Sequence, residues 1–184
     1  MDISRKFKMK IIIVYPKKKK KKGTATLGQN RQFQWGHSPW TAYPVVPAYA
    51  ATMLDKQSHE VNWLDGISEG WSYKKWEDEL KEIQPDLLVM ESKTPVIKTH
   101  WKIVDSLKQK LPQIKIILVG DHVTAKPQET LNNCAVDYLV VGGNYDFGLV
   151  QLVERLEKGK DLEFKIFKSS NLHQITLDKL PLID

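Results

Sequence analysis

Four short apolar runs rich in β-branched residues punctuate the chain: residues 10–15, 86–90, 115–119 and 136–141. Their hydrophobicity is continuous rather than alternating, as expected of parallel strands covered on both faces. A fifth run, 60–65 (Glu-Val-Asn-Trp-Leu-Asp), alternates more and suits an edge position. Between the runs lie segments of helical length and period. Residues 44–56 carry Val45, Tyr49, Met53 and Leu54, and residues 71–83 carry Trp76, Leu80 and Ile83. Residues 95–111 place Ile97, Trp101, Val104 and Leu107 on one side. Residues 147–156 repeat the pattern with Leu149, Val150, Leu152, Val153 and Leu156. A shorter helix is expected after Pro127, a residue suited to a first helical turn.

This alternation of strands and helices, with right-handed crossovers, predicts an α/β domain built on a doubly wound five-stranded parallel sheet. The expected strand order is 2-1-3-4-5, the flavodoxin-like (Rossmann-like) arrangement. Two segments break the regularity. Residues 16–42 have no clear period and are far longer than the roughly two to six residues usual between a strand and a helix. Their lysine run, Lys17 to Lys22, reads as solvated and mobile, whereas 28–40 mixes aromatics with amides and reads as ordered cover. The other irregular segment is 161–184. The resulting organisation is an extension over 1–8, one domain over 9–160, and a linker or packed arm over 161–184.

Composition narrows the function classes. A chain of 184 residues, 41% of them hydrophobic, suits a single well-packed domain. The net charge of +6 comes from a sequence in which Lys17 to Lys22 alone contribute six positive charges. The remainder is close to neutral, so no basic nucleic-acid face is indicated. With Cys134 as the one cysteine, no intrachain disulfide and no cysteine cage can form, and the cytoplasm is the expected compartment. The run 11–14 is too brief for a signal or membrane segment.

In an open α/β sheet, ligands bind outside the carboxyl ends of the strands. After the third strand come Glu91, Ser92, Lys93, Thr94 and Pro95; Thr94 followed by Pro95 is also a sound helix N-cap. After the fourth come Gly120, Asp121, His122, Val123 and Thr124, and after the fifth Gly142, Gly143, Asn144 and Tyr145. Glycines before a helix N-terminus let a bulky or anionic group approach backbone N–H donors. No Gly-x-Gly-x-x-Gly or phosphate-loop pattern is present, which disfavours nucleotide readings. Pro16-Lys17 and Met90-Glu91 stand where a receiver domain needs acidic residues. The five histidines, at 37, 59, 100, 122 and 173, show no ligand pairing.

Taken in order, these strand-end motifs resemble a known family. The order is Tyr43-Pro-Val-Val-Pro, His59-Glu-Val-x-Trp-Leu-Asp65, Pro85 to Met90, Ser92-Lys-Thr-Pro95, Val119-Gly-Asp-His-Val-Thr-Ala125, Pro127-x-Glu-Thr-Leu131 and Val136 to Gly143. It resembles the N-terminal cobalamin (B12)-binding domain of B12-dependent radical S-adenosylmethionine enzymes over residues 9–160. Leu177 to Pro181 is similar to the segment that leads into that family's radical domain. The resemblance implies a corrin ring across the carboxyl ends of the strands, with its nucleotide tail threaded beside them. Gly120, Gly142 and Gly143 would make space for the tail. Ser92, Thr94 and Thr124 would bond to the tail or the corrin amides, and Lys93, Asp121, His122, Val123, Asn144 and Tyr145 would complete the cofactor-binding set.

Two departures from related patterns shape the expected chemistry. The Asp-x-His-x-x-Gly motif that supplies a lower cobalt ligand in other B12 domains is missing, so the resemblance implies base-off binding without a protein histidine. The radical domain's Cys-x3-Cys-x2-Cys motif is also missing, and one cysteine cannot hold a 4Fe-4S cluster. S-adenosylmethionine and the cluster would therefore belong to a radical domain in cis or in trans, with no complete catalytic site in this chain. The expected function is a cofactor-binding module, metal-binding through its corrinoid; the alternative is a fold-retaining domain without cobalamin, used for substrate recognition or protein association. Neither nucleic acid nor membrane is an expected partner.

Overall fold

The computed structural model describes residues 9–27, 33–37, 43–143, 145–159 and 165–168. The 1–8 extension, Asn144, His173 and most of the 161–184 arm, including Leu177 to Pro181, lie outside the described residues. So do 28–32 and 38–42 of the aromatic-amide stretch.

The large sheet begins with β1 (Lys10–Tyr15) and continues through β5 (Glu60–Asp65), β6 (Leu87–Glu91), β7 (Lys115–Val119), β8 (Tyr138–Val141) and β9 (Ile166–Lys168). All its pairings are parallel, and the order is β5-β1-β6-β7-β8-β9. The first five of these are the expected strands in the expected order, with β5 at the edge. The sixth, β9, comes from the segment read as a linker. Three residues of that arm extend the sheet by pairing Leu139, Val140 and Val141 with Ile166, Phe167 and Lys168.

The continuous apolar runs are explained by two cores, one on each face. Ile11, Ile13, Leu87, Val89, Ile117 and Val140 face α1 (Val45–Lys56) and α6 (Tyr145–Glu157), whose Ala50, Leu54, Leu149 and Leu152 meet them. Ile12, Val14, Leu88, Met90, Ile116, Leu118 and Leu139 face α2 (Tyr73–Ile83) and α3 (Ile97–Lys110), with Trp76, Leu80, Trp101 and Val104 filling the layer. A fully buried Leu or Ile contributes about 1.5–3 kcal/mol. The short α4 (Asp121–Ala125) and α5 (Pro127–Asn133) complete the second face, and Pro127 stands in the first turn of α5. Among the described residues, no helix is long and apolar enough to cross a membrane.

The long connection after β1 differs from the expectation of a solvated, mobile run over Lys17 to Lys22. It forms a small antiparallel sheet in which β2 (Lys19–Lys20) pairs with β3 (Gly23–Leu27), and β3 with β4 (Phe33–Gly36). Gly23, at φ +103°, lies so close to the Gly36 carbonyl that a side chain there would collide with it. The lysine run is therefore partly ordered. The Lys18 ammonium lies 3.2 Å from the centre of the Tyr73 ring, and that of Lys20 lies 5.8 Å from the Trp35 ring centre. Lys21 and Lys22 are exposed in the turn. Charge repulsion favours a solvated lysine run, but burial of Ala25 and Trp35 against the first core holds the hairpin in place.

Candidate functional site

The carboxyl ends of β1, β6, β7 and β8 come together on one rim, where the strand order reverses between β1 and β6. At its centre is a buried polar cluster. The Glu91 carboxylate accepts a hydrogen bond from the Tyr15 hydroxyl at 2.9 Å, and the buried Tyr145 phenol at the start of α6 lies close enough to feel its charge. Lys93 is 3% exposed, and its ammonium is 3.7 Å from the other Glu91 oxygen. Burial pushes the Glu91 carboxyl above its usual range, while the Lys93 charge and the Tyr15 hydrogen bond pull it back. The Tyr15 and Tyr145 phenols are pushed well above theirs, first by burial and then by the Glu91 charge. Both phenols therefore keep their protons, and Tyr15 donates its own to Glu91.

The loops around this cluster are tied together by hydroxyl groups. Ser92 is fully buried, and its Oγ is 2.9 Å from His100 Nδ1 on α3. Burial, with the Lys20 charge adding to it, pushes the His100 ring down to about 4. The Thr94 Oγ1 lies 3.2 Å from His122 Nδ1. The expected helix cap at Thr94 does not form: α3 starts at Ile97, with Val96 at the cap position and no side-chain cap bond. Backbone bonds from Val96 and Ile97 to the Lys93 carbonyl make a separate turn first, leaving the Thr94 hydroxyl to His122. Thr124 Oγ1 accepts a hydrogen bond from Gly142 N at 3.0 Å, joining the loop after β7 to the one after β8.

The two best-placed glycines do different work. Gly120 has φ +106°, and a Cβ there would sit 2.7 Å from the Ser92 carbonyl oxygen. The position that a side chain would take at Gly120 is thus filled by the backbone at the end of the neighbouring strand. Gly142 has φ +118°, and nothing lies within 4 Å of where its side chain would be. That space is open, and Gly143 beside it is exposed.

The expected site residues therefore divide into groups. Thr94, Thr124 and Gly143 are exposed, and Asp121 and Gly142 are half-buried. These five form the accessible rim. Ser92, Lys93, His122, Val123 and Tyr145 are buried beneath it. Such residues shape the rim from below, and any direct contact with a ligand would require them to turn outward. His122, 3% exposed, makes an edge contact with Trp101 at 5.8 Å between ring centres, and burial lowers its pKa. Among the described residues, no group of three or more His, Cys, Asp or Glu side chains is arranged to hold a metal ion.

Tyr15 and Glu91 were not among the expected site residues. Their signal in the sequence is slight: each is a polar group ending an otherwise apolar strand, and β6 as read from the sequence stops one residue short of Glu91.

Comparison with known proteins adds a family. Residues 39–145 match the family model described as B12 binding domain. An uncharacterized methyltransferase of Pyrococcus horikoshii is 26% identical over 123 residues, covering 67% of this chain and 27% of that protein. An anaerobic magnesium-protoporphyrin IX monomethyl ester cyclase of Cereibacter sphaeroides is 25% identical over 115 residues, covering 62% and 19% respectively. The matched region is thus about a quarter or less of the length of these relatives. Among solved structures, the isolated REC domain of RcsB from Salmonella enterica serovar Typhimurium superposes with a TM-score of 0.49 at 14% identity, over 89% of this chain and 95% of that one. The fold assignment rests on the strand order itself.

Proposed function

The chain belongs to the B12 binding domain family, whose cofactor is cobalamin, and on this premise we propose that it holds the corrinoid on the rim formed by β6, β7 and β8. The observation that carries the placement is Gly142. Its open side would let a bulky group reach the backbone, and its position is fixed by the bond from its N–H to Thr124. The donors and acceptors around it suit the amide-rich periphery of a corrinoid. Thr94 and Thr124 are exposed residues whose hydroxyls, already bonded to His122 and Gly142, keep further hydrogen-bonding capacity, and Gly143 offers backbone just before α6.

Binding in the base-off form without a protein histidine is part of the same proposal. His122 supports it, being turned into the core with Nδ1 against Thr94. When bound, cobalamin supplies a cobalt centre able to carry a methyl group or tune reactivity. This chain's residues bind and orient it. The family resemblance further points to a radical S-adenosylmethionine domain as partner, in cis or in trans.

The test is a titration of purified chain with hydroxocobalamin, followed by gel filtration and absorption spectroscopy. Wild-type chain should retain about one corrinoid per chain with a base-off spectrum, and His122→Ala should give the same spectrum. Failure of the wild-type chain to retain corrinoid under both oxidising and reducing conditions would overturn the placement and the function together. A spectrum that changes in His122→Ala would overturn only the histidine-free ligation.

A further inference from the structure

The lysine run, Lys17 to Lys22, has no part in the corrinoid placement, yet it stands at a defined place. The hairpin of β2 and β3 follows directly on β1, whose carboxyl end forms the rim, and the chain enters α1 only at Val45. Ala25 and Trp35 fasten the small sheet to the core on one face of the large sheet. Lys18 lies over Tyr73, the first residue of α2, which packs on the other face. The hairpin therefore straddles the carboxyl end of β1, beside the point where the strand order reverses. Lys21 is three residues beyond Lys18, no more than about 10 Å along the chain, so the turn stays at that end of the sheet.

Lys20 pairs with Gly23 across a turn made of Lys21 and Lys22, and all three of these lysines are exposed. The first and fourth Cα atoms of such a turn lie within about 7 Å of each other, so three ammonium groups on long stems can converge on one group. Among the described residues, carboxylates pair with other lysines, such as Lys74, Lys81 and Lys110, and none pairs with Lys20, Lys21 or Lys22. The shape of the turn is set in the free chain, because the Gly36 carbonyl occupies the side-chain position of Gly23. A ligand there does not have to order the backbone that binds it.

We propose that the turn formed by Lys20, Lys21 and Lys22 is an anion-binding site at the rim, taking a compact, multiply charged oxyanion of a small molecule, of which polyphosphate is the simplest representative. The extent of the charge decides against broader partners. The six lysines of the run equal the whole net charge of +6, so a nucleic acid or a membrane would meet an uncharged body around them. The neutral, amide-rich periphery of a corrinoid leaves three cations unused. Lysine ammonium groups act as point charges that suit phosphate oxygens. The site itself belongs to the free chain; that its anion is the substrate brought to the cofactor rests on the corrinoid placement proposed above.

The experiment is calorimetric titration of the full chain with sodium tripolyphosphate at low ionic strength. It is repeated with the double variant Lys21→Ala, Lys22→Ala and with Lys56→Ala, Lys158→Ala, which removes the same charge from exposed positions at the far ends of α1 and α6. Wild type should bind about one tripolyphosphate per chain. The turn variant should bind about tenfold more weakly, the scale of a lost hydrogen bond between charged groups, with an unchanged urea midpoint. The far-end variant should change less than about twofold. Equal losses in the two variants, or no saturable binding by wild type, would overturn the proposal. So would tighter binding of an oligoglutamate peptide or of phosphatidylserine vesicles than of tripolyphosphate. Hydroxocobalamin titration separates this site from the cofactor placement. A wild-type chain that binds tripolyphosphate but no corrinoid would uphold the anion site and overturn the placement, whereas loss of corrinoid in the turn variant would assign these lysines to the cofactor and overturn the separate site.

Discussion

Replacing Gly120 and Gly142 in parallel separates backbone strain from lost space. Both have positive φ, +106° and +118°, so alanine at either position incurs strain of about 1–3 kcal/mol. Only at Gly120 does the new Cβ collide, 2.7 Å from the Ser92 carbonyl oxygen and 3.2 Å from its nitrogen. Backbone on a central strand yields little, and overpacking of this kind adds about 1–3 kcal/mol. Gly120→Ala should therefore be less stable than Gly142→Ala by about 2 kcal/mol, or roughly 4–8 °C in thermal midpoint for a domain of this size. Binding should show the opposite ranking. Gly142→Phe fills the open side and should abolish corrinoid retention while the sheet survives, whereas Gly120→Ala should bind near-normally at temperatures where it is folded. Urea unfolding of the two alanine variants, with hydroxocobalamin titration of all three variants, checks both orders. Equal destabilisation by the two alanines would refute the packing argument for Gly120. Normal corrinoid binding by Gly142→Phe would refute the role assigned to the open side of Gly142.

Lys18→Ala should lose about 0.5–1 kcal/mol through its contact with Tyr73, whereas Lys21→Ala and Lys22→Ala should be neutral within error in urea titrations. Equal effects at all three would mean that the hairpin is not anchored through Tyr73. Acid should destabilise the domain through His100. Its folded value of about 4 lies below the ordinary 6.5, so the unfolded chain takes up a proton first as pH falls. Stability from this group is fully present above pH 6.5 and is lost towards pH 4, by up to about 3 kcal/mol. Glu91, whose carboxyl is raised, acts in the opposite sense, losing stability as pH rises through its folded value. The difference between wild type and His100→Gln across that window isolates the histidine, and parallel pH profiles would refute its part.

The strands of the large sheet were legible because burial on both faces leaves a continuous apolar signature; β1, β5 and β7 have the bounds that hydrophobicity alone predicts. The outermost strand escaped notice because three residues, Ile166–Lys168, make no pattern until β8 is there to pair with them. The hairpin after β1 was hidden by its lysines, whose charge outweighs the modest strand signal of Thr24 and Thr26 in any local reading. At the rim, the positions of glycines and hydroxyls were readable, but their partners were not. That Gly120 faces Ser92 and Gly142 faces open space depends on how loops distant in sequence pack together, which no spacing encodes. The Glu91 cluster joins residues 15, 91 and 145, far apart in sequence and united only by the crossovers.

The direction of β9 also sets the mechanics of tethering. Because it runs parallel to β8, it delivers Lys168 to the same end of the sheet as Gly142 rather than the opposite one. An antiparallel strand would have released the chain roughly one strand length away, on the order of 10–15 Å, behind the rim. Anything fastened beyond Lys168 would thus start its search beside the proposed cofactor rim and sample it at a high local concentration. For loose tethers such concentrations are in the millimolar range, enough to make a weak encounter with a bound cofactor frequent without any dedicated docking contact.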